Sequence, residues 1–519
     1  MKIKKITSVL MTGIMLMSAV PFMTATASAV ESKDFEYDIT SAGTAVITDY
    51  EGKDTNIVIP GAIDGYQVTA IGGYSFAYSD KVESISIPNG VKSIGNGAFS
   101  NCEFLKKVTI PESVTSIRYG AFQYDTNLTD VKLPSKLTSI ESNMFSNSGI
   151  KSIEIPENVR TIYDNAFSDC EKLESIYIPD GVKEIGSDLC SGCTALSSLR
   201  LSKNLRVIPY GAFAKTRNLS AVSIPSKVTK IGETAFAESG IKSVSIGKSV
   251  KTIDSEAFYV CPKLTAIKVK SKNKNYSSKS GVLYNKKKSL LITYPAGKKN
   301  KTFTLLSKVK KLESYSFSGN SYLENIKFKK GLTSIKKGAF MNTSLKKVKF
   351  PKSLKKIEND AFLNCESLES VTIPANVIYI NDHAFSECTA LKKLTFNGNS
   401  KLELGYGVFE SCRSLKTVSA PIAKKSQGRL FFACTKINKV KISKNIKKIF
   451  REDYAECPNL NKVTIPATVK KIGYHAFGYI NYYDYSYDTN DNLVIKGYKN
   501  SAAHKYAKEN NFTFKKMKS

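Results

Sequence analysis

One motif recurs along nearly the whole chain. Val91–Ser113 reads VKSIGNGAFSNCEFLKKVTIPES, and the next stretch reads VTSIRYGAFQYDTNLTDVKLPSK. The phenylalanine of Ala98-Phe99 marks the frame. Its counterparts are Phe76, Phe122, Phe145 and Phe167, then Phe213, Phe236 and Phe258. They resume at Phe317, Phe340, Phe362, Phe385, Phe409, Phe431 and Phe477. Cys190 and Tyr454 take the slot in two more copies. This gives 17 slots 22 to 24 residues apart, with one longer step of 59 between Phe258 and Phe317. A fixed period of this size specifies a solenoid, in which each copy is one turn and touches only its neighbours.

One turn can be read residue by residue. Leu105-x-x-Val108-x-Ile110 alternates as a half-buried strand does, apolar side chains inward. Pro111 ends the strand because proline cannot donate to a ladder. Val114-x-x-Ile117 makes a second apolar edge. Gly95, with Gly186, Gly232 and Gly473 in the same place, is expected to permit the turn that follows. Ala98-Phe99 then fills the interior from the opposite wall. Where Cys190 replaces phenylalanine, the residue before it enlarges to Leu189, so the volume moves by one position. Stacked at ~4.8 Å, 17 such turns make a body roughly 80 Å long.

The ends depart from the motif. In residues 1–29, Lys2, Lys4 and Lys5 precede an apolar run, Val9–Phe22, and the small-residue site Ala27-Ser28-Ala29. That order is an export signal, cleaved after Ala29. The run is too short for a membrane span of ~20 residues. Residues 30–75 read as an N-terminal β cap and 76–262 as the first half of the solenoid. Residues 263–312 read as a β-hairpin insertion, GVLYNKKKSLLITYPAG at its centre, resting on the solenoid. Residues 313–480 form the second half, and 481–519 a C-terminal cap whose short helix starts from Ser501, a good N-cap.

The runs Ile94–Pro111 and Ile162–Pro179 resemble the BspA-like leucine-rich repeats of bacterial cell-surface proteins. So do the insertion NYSSKSGVLYNKKKSLLITYPAG and the ending GYKNSAAHKYAKENNFTF, and the likeness covers essentially the whole mature chain. It implies a right-handed leucine-rich-repeat solenoid, rich in short β-strands, with end caps and the hairpin. It also implies adhesion to host matrix proteins, other bacteria or surfaces. It brings no catalytic residues with it.

Ten cysteines in an exported chain invite a disulfide reading. The frame argues against it. Nine of them, beginning with Cys102 and Cys170, stand three residues after the phenylalanine slot, where other turns hold Ser79, Asp125, Thr216 or Asn320. A small polar side chain meeting backbone at a turn is the expected role. Cys190-Ser-Gly-Cys193 has the spacing of half a zinc site but lacks a second pair. The three histidines, His383, His475 and His504, form no constellation with a nucleophile, and the first two occupy a position that varies freely between turns. No catalytic residue, cofactor or metal is expected.

The outward strand positions remain. The residue between the two inward ones includes Thr109, Tyr177, Arg200, Lys327, Lys349 and Lys441. The residue just before the inward valine includes Lys107, Lys347, Lys393, Lys439 and Lys462. Stacked strands place these in two parallel columns, the candidate ligand-facing residues. Charge is uneven along the chain. Residues 31–258 hold 23 Lys and Arg against 28 Asp and Glu, net −5; residues 259–519 hold 51 against 17, net +34. The expectation is a secreted or cell-surface bacterial protein, monomeric and noncatalytic, that binds an extracellular protein or glycoprotein on its strand face. The alternative is a structural protein held on an anionic wall polymer by its basic half. Export makes nucleic acid the less natural polyanion.

Overall fold

The computed structural model describes residues 32–398, 401–483 and 486–518. The expected export signal, residues 1–29, lies outside them. The chain is a β-solenoid of about 20 turns with a single short α-helix among the described residues. Most turns give one short strand to each of two walls. Ser84–Ser86 and Lys107–Thr109 lie on one wall; Ser93–Ile94 and Ser116–Ile117 lie on the other. Pairing is parallel and in register: Ser84 stands beside Lys107, Ile85 beside Val108 and Ser86 beside Thr109. Val108 is buried between exposed Lys107 and Thr109, as the alternation requires.

The phenylalanine slot builds a third wall. Phe99 N donates to Ala121 O at 2.9 Å, and Phe122 N to Met144 O at 2.9 Å. The rings stack from turn to turn with centroids 4.8 to 5.8 Å apart. Nearly every phenylalanine is flanked by left-handed corners. Two residues before it stand Asn143 (φ 56°) and His383 (φ 50°), and two residues after it Asn101 (φ 62°) and Asp169 (φ 55°). The position of His383 and His475 is therefore constrained, and it recurrently holds Gly, Asn and Asp, which tolerate this conformation. Gly95 has another role than expected. Its φ is not left-handed, but a Cβ there would lie 2.5 Å from the Gly73 nitrogen, and at Gly473 2.4 Å from that of Arg451. These glycines let neighbouring turns approach.

The hairpin is woven into the coil. Tyr276–Lys279 pairs antiparallel with Val282–Asn285, which pairs antiparallel with Leu290–Thr293. Leu290–Thr293 then joins Lys311–Leu312 in parallel. Tyr294 takes the phenylalanine slot, its ring 4.9 Å from that of Phe317 and its nitrogen donating to Ser316 O at 2.7 Å. Two hydrophobic cores meet here: Leu283 and Ile292 bury into the first, Val282, Tyr284 and Leu291 into the second. At the N-terminal end the ring ladder continues into Tyr50, 5.8 Å from Phe76. At the C-terminal end Ala502–Glu509 is the helix, capped by Ser501, and the Tyr506 hydroxyl donates to Phe477 O at 2.8 Å, closing the stack.

The slot three residues after phenylalanine binds backbone. The Thr343 hydroxyl donates to Phe340 O at 2.8 Å, and Cys365 of the next turn donates to the same oxygen at 3.0 Å. All ten cysteines are unpaired and buried. Burial pushes the Cys102 thiol up to about 12 and the Cys261 thiol up to about 11, which keeps them protonated donors. Asp125 is the exception. It is fully buried; Oδ1 accepts from Cys102 N at 2.9 Å, but Oδ2 has no partner. Burial raises its carboxyl well above the usual range.

The ring ladder and Asp125 can each be tested by substitution. Phe122→Ala lowers stability by about 3–5 kcal/mol in urea unfolding, the usual cost of truncating a buried ring; a loss under about 1 kcal/mol would remove this slot from the core. Asp125 stabilises the fold only while protonated. With a folded value above the unfolded ~3.9, its contribution is full below that pH and lost as pH rises through the folded value. Asp125→Ser, which supplies the donor found at Ser79, should match the natural chain near pH 4. At pH 8 it should exceed it by about 1–3 kcal/mol, the range for relieving an unsatisfied buried group.

Candidate ligand-binding face

The first wall presents its outward residues in two columns, because parallel in-register strands repeat the same pleat at every turn. In the first half Lys107 and Arg200 are locally neutralised. Lys107 lies 3.8 Å from Asp130. The Arg200 guanidinium stacks 4.1 Å over the Tyr177 ring and meets Asp180 at 3.4 Å. Thr109 stands beside Ser86, and the register of the next turn brings Lys132 to its other side. The columns are also interrupted: residues 221–224 form no strand, so Ser223 leaves the ladder, and nothing in the structure explains the break.

The second half differs in kind. Lys347 is followed by Ser370 and Lys393 in one column, and Lys349 by Thr372 and Thr395 in the other, with Lys327 one strand earlier. The last sheet adds Lys439, Lys441 and Lys462. It then continues into the cap, where Thr464 stands beside Lys496 and Lys496 beside Lys515. Every charged residue in these two columns beyond the hairpin is a lysine. None of them makes an ion pair among the described residues; the lysines that do, such as Lys301 and Lys346 on Glu324, stand outside the columns. Lys496 and Lys515 belong to no repeat copy. The alternation of Leu493 and Ile495, and of Phe512 and Phe514, is the signal that places them on the same wall.

Other polar groups cluster at the left-handed corner. His383 Nδ1 lies 3.7 Å from Glu410 Oε2, whose carboxyl is raised by burial. Arg429 pairs with Glu452 and stacks 4.2 Å over Phe432. The His475 ring lies between Tyr474 and Tyr479, with centroids 3.5 and 3.7 Å away, and burial lowers its value. The His383–Glu410 and Arg429–Glu452 contacts tie neighbouring turns together. Among the described residues, no group of three His, Cys, Asp or Glu is placed to hold a metal. No helix there is long and apolar enough to cross a membrane.

Comparison with known proteins gives three findings. The family model described as "BspA type Leucine rich repeat region (6 copies)" matches residues 53–174, 160–285, 296–369 and 355–483. No curated protein matches the chain. Similar solved structures include a leucine rich cell surface protein from Faecalibacterium prausnitzii, 24% identical over 86% of this chain and 95% of that one, TM-score 0.40. A leucine-rich repeat protein from Bacteroides ovatus is 22% identical over 93% of this chain and 98% of that one, TM-score 0.41. The matched segments span most of the described solenoid, turn for turn, and the chain belongs to the BspA-type leucine-rich repeat family.

Proposed function

We propose that this is an exported, noncatalytic binding protein of a bacterial surface, monomeric, which holds extracellular proteins or glycoproteins on its strand face. The observation that carries the reading is the division of labour within each turn. Inward positions repeat because they pack, while outward ones such as Thr109, Tyr177 and Lys349 differ from turn to turn along one side of the solenoid. A wall of this kind suits recognition of an extended surface better than capture of a small molecule. The expected result is that the mature chain binds at least one of immobilised matrix proteins, mucin or whole bacterial cells. The double replacement Tyr177→Ala with Lys349→Ala weakens that binding without changing the unfolding midpoint. Failure to bind any of the three overturns the reading.

A second reading rests on the unpaired lysines. A basic half with net charge +34 over residues 259–519 attracts polyanions, so the protein is retained on anionic wall polymers. Such attachment weakens as salt shortens the screening length from ~10 Å at 0.1 M to ~3 Å at 1 M. Moderate salt should therefore release the protein from isolated walls, and residues 263–519 should carry the attachment in pull-downs. Attachment indifferent to salt excludes this reading.

A further inference from the structure

Three lysines meet where the strand face ends. Lys462–Thr464, Val494–Gly497 and Thr513–Lys516 run parallel and in register, Thr464 beside Lys496 and Lys496 beside Lys515. Lys462 lies two residues before Thr464 and so points from the same face. Lys462 first, and then the charge of Lys515, lowers the Lys496 ammonium below the usual lysine value. The three lysines line a cleft of about 540 Å³ together with Asn459, Asn461 and Asn492. The Asn459 amide is engaged with Thr435 O at 2.7 Å. No carboxylate lines the cleft.

Lysines adjoin elsewhere on the face too, as Lys327 and Lys349 do, while Lys347 and Lys393 are spaced by Ser370; what sets the end of the face apart is the cleft. Here three positive charges crowd one cleft with no anion to balance them. A carboxylate or a phosphodiester brings one negative charge and leaves two ammonium groups unneutralised. A phosphomonoester or pyrophosphate brings two or more, with several acceptor oxygens for amines that act as point charges. We propose that this cleft is a binding site for a multiply charged phosphate group, held by Lys462, Lys496 and Lys515 with the Asn461 and Asn492 amides as further donors. The proposal deepens the polyanion reading, on which it rests, by giving the basic half one defined anchoring point.

Calorimetric titration of the mature full chain tests it, with inorganic pyrophosphate as probe and singly charged dimethyl phosphate as comparison. Pyrophosphate should bind once per chain and dimethyl phosphate at least about tenfold more weakly, since losing one charge-assisted hydrogen bond costs about that much. Lys496→Ala and Lys515→Ala should each weaken pyrophosphate binding about tenfold. The pair Lys327→Ala with Lys349→Ala, in the neighbouring sheet, should change it less than about twofold, because exposed charges that far away are screened. Equal losses in both sets overturn the cleft. Long-chain polyphosphate, titrated in parallel, separates the two levels. If it binds while pyrophosphate shows no single site, the cleft fails and the polyanion reading stands; if it does not bind, both fail. Amine labelling near pH 8 needs no variant. Lys496 and Lys515 should be protected by pyrophosphate and Lys327 should not, and absence of protection overturns the proposal.

Discussion

Almost every turn of this molecule is held at its place by a ring lying on the ring of the next turn. Offset aromatic pairs are favourable at centroid separations of about 4.5–7 Å, and parallel strands demand ~4.8 Å. The Phe99–Phe122 separation of 5.4 Å satisfies both at once. A single residue type can therefore set the pitch of the whole coil, while the amide of the same phenylalanine bonds to the next turn. Because turns touch only their neighbours, a local substitution stays local. Cys190 removes one ring from the ladder, and fully buried Leu189 beside it keeps the wall filled.

Much of this is legible in the sequence because the repetition averages away accident. The strand Lys107–Thr109, its inward Val108 and the role of the cysteine slot all follow from comparing copies. What escapes is whatever the copies satisfy in more than one way. The left-handed corners accept Gly, Asn, Asp, His and even Arg429 or Glu452, so no letter marks them. Tyr294 holds the phenylalanine slot without the small residue before it, and the long step hides an additional turn. Gly95 reads as a turn residue and is a contact residue, a distinction that lies in the distance to Gly73. Lys496 and Lys515 are hidden for the opposite reason: the cap extends the strand wall without repeating the motif.

The candidate face is consequently two surfaces. Its first half offers side chains already engaged with one another, as Arg200 is with Tyr177 and Asp180. Such exposed contacts add little to stability, ~0–1 kcal/mol for an ion pair, but they fix the shape presented. Its second half offers lysines without local partners, tolerated because the buried core beneath them, and not the surface charge, holds the turns together. The two halves thus differ in what they ask of a ligand: shape and hydrogen bonding from one, negative charge from the other.

The hairpin at Tyr276–Thr293 marks where these surfaces meet, and it is also where one hydrophobic core gives way to the next. A rod whose charge changes from −5 to +34 across such a seam is an electric dipole along its own axis. In the field of a negatively charged layer it experiences a torque as well as an attraction. It turns its basic end inward and stands with its acidic half pointing away, so that the tyrosine and arginine of the first half are the part held out to the surroundings.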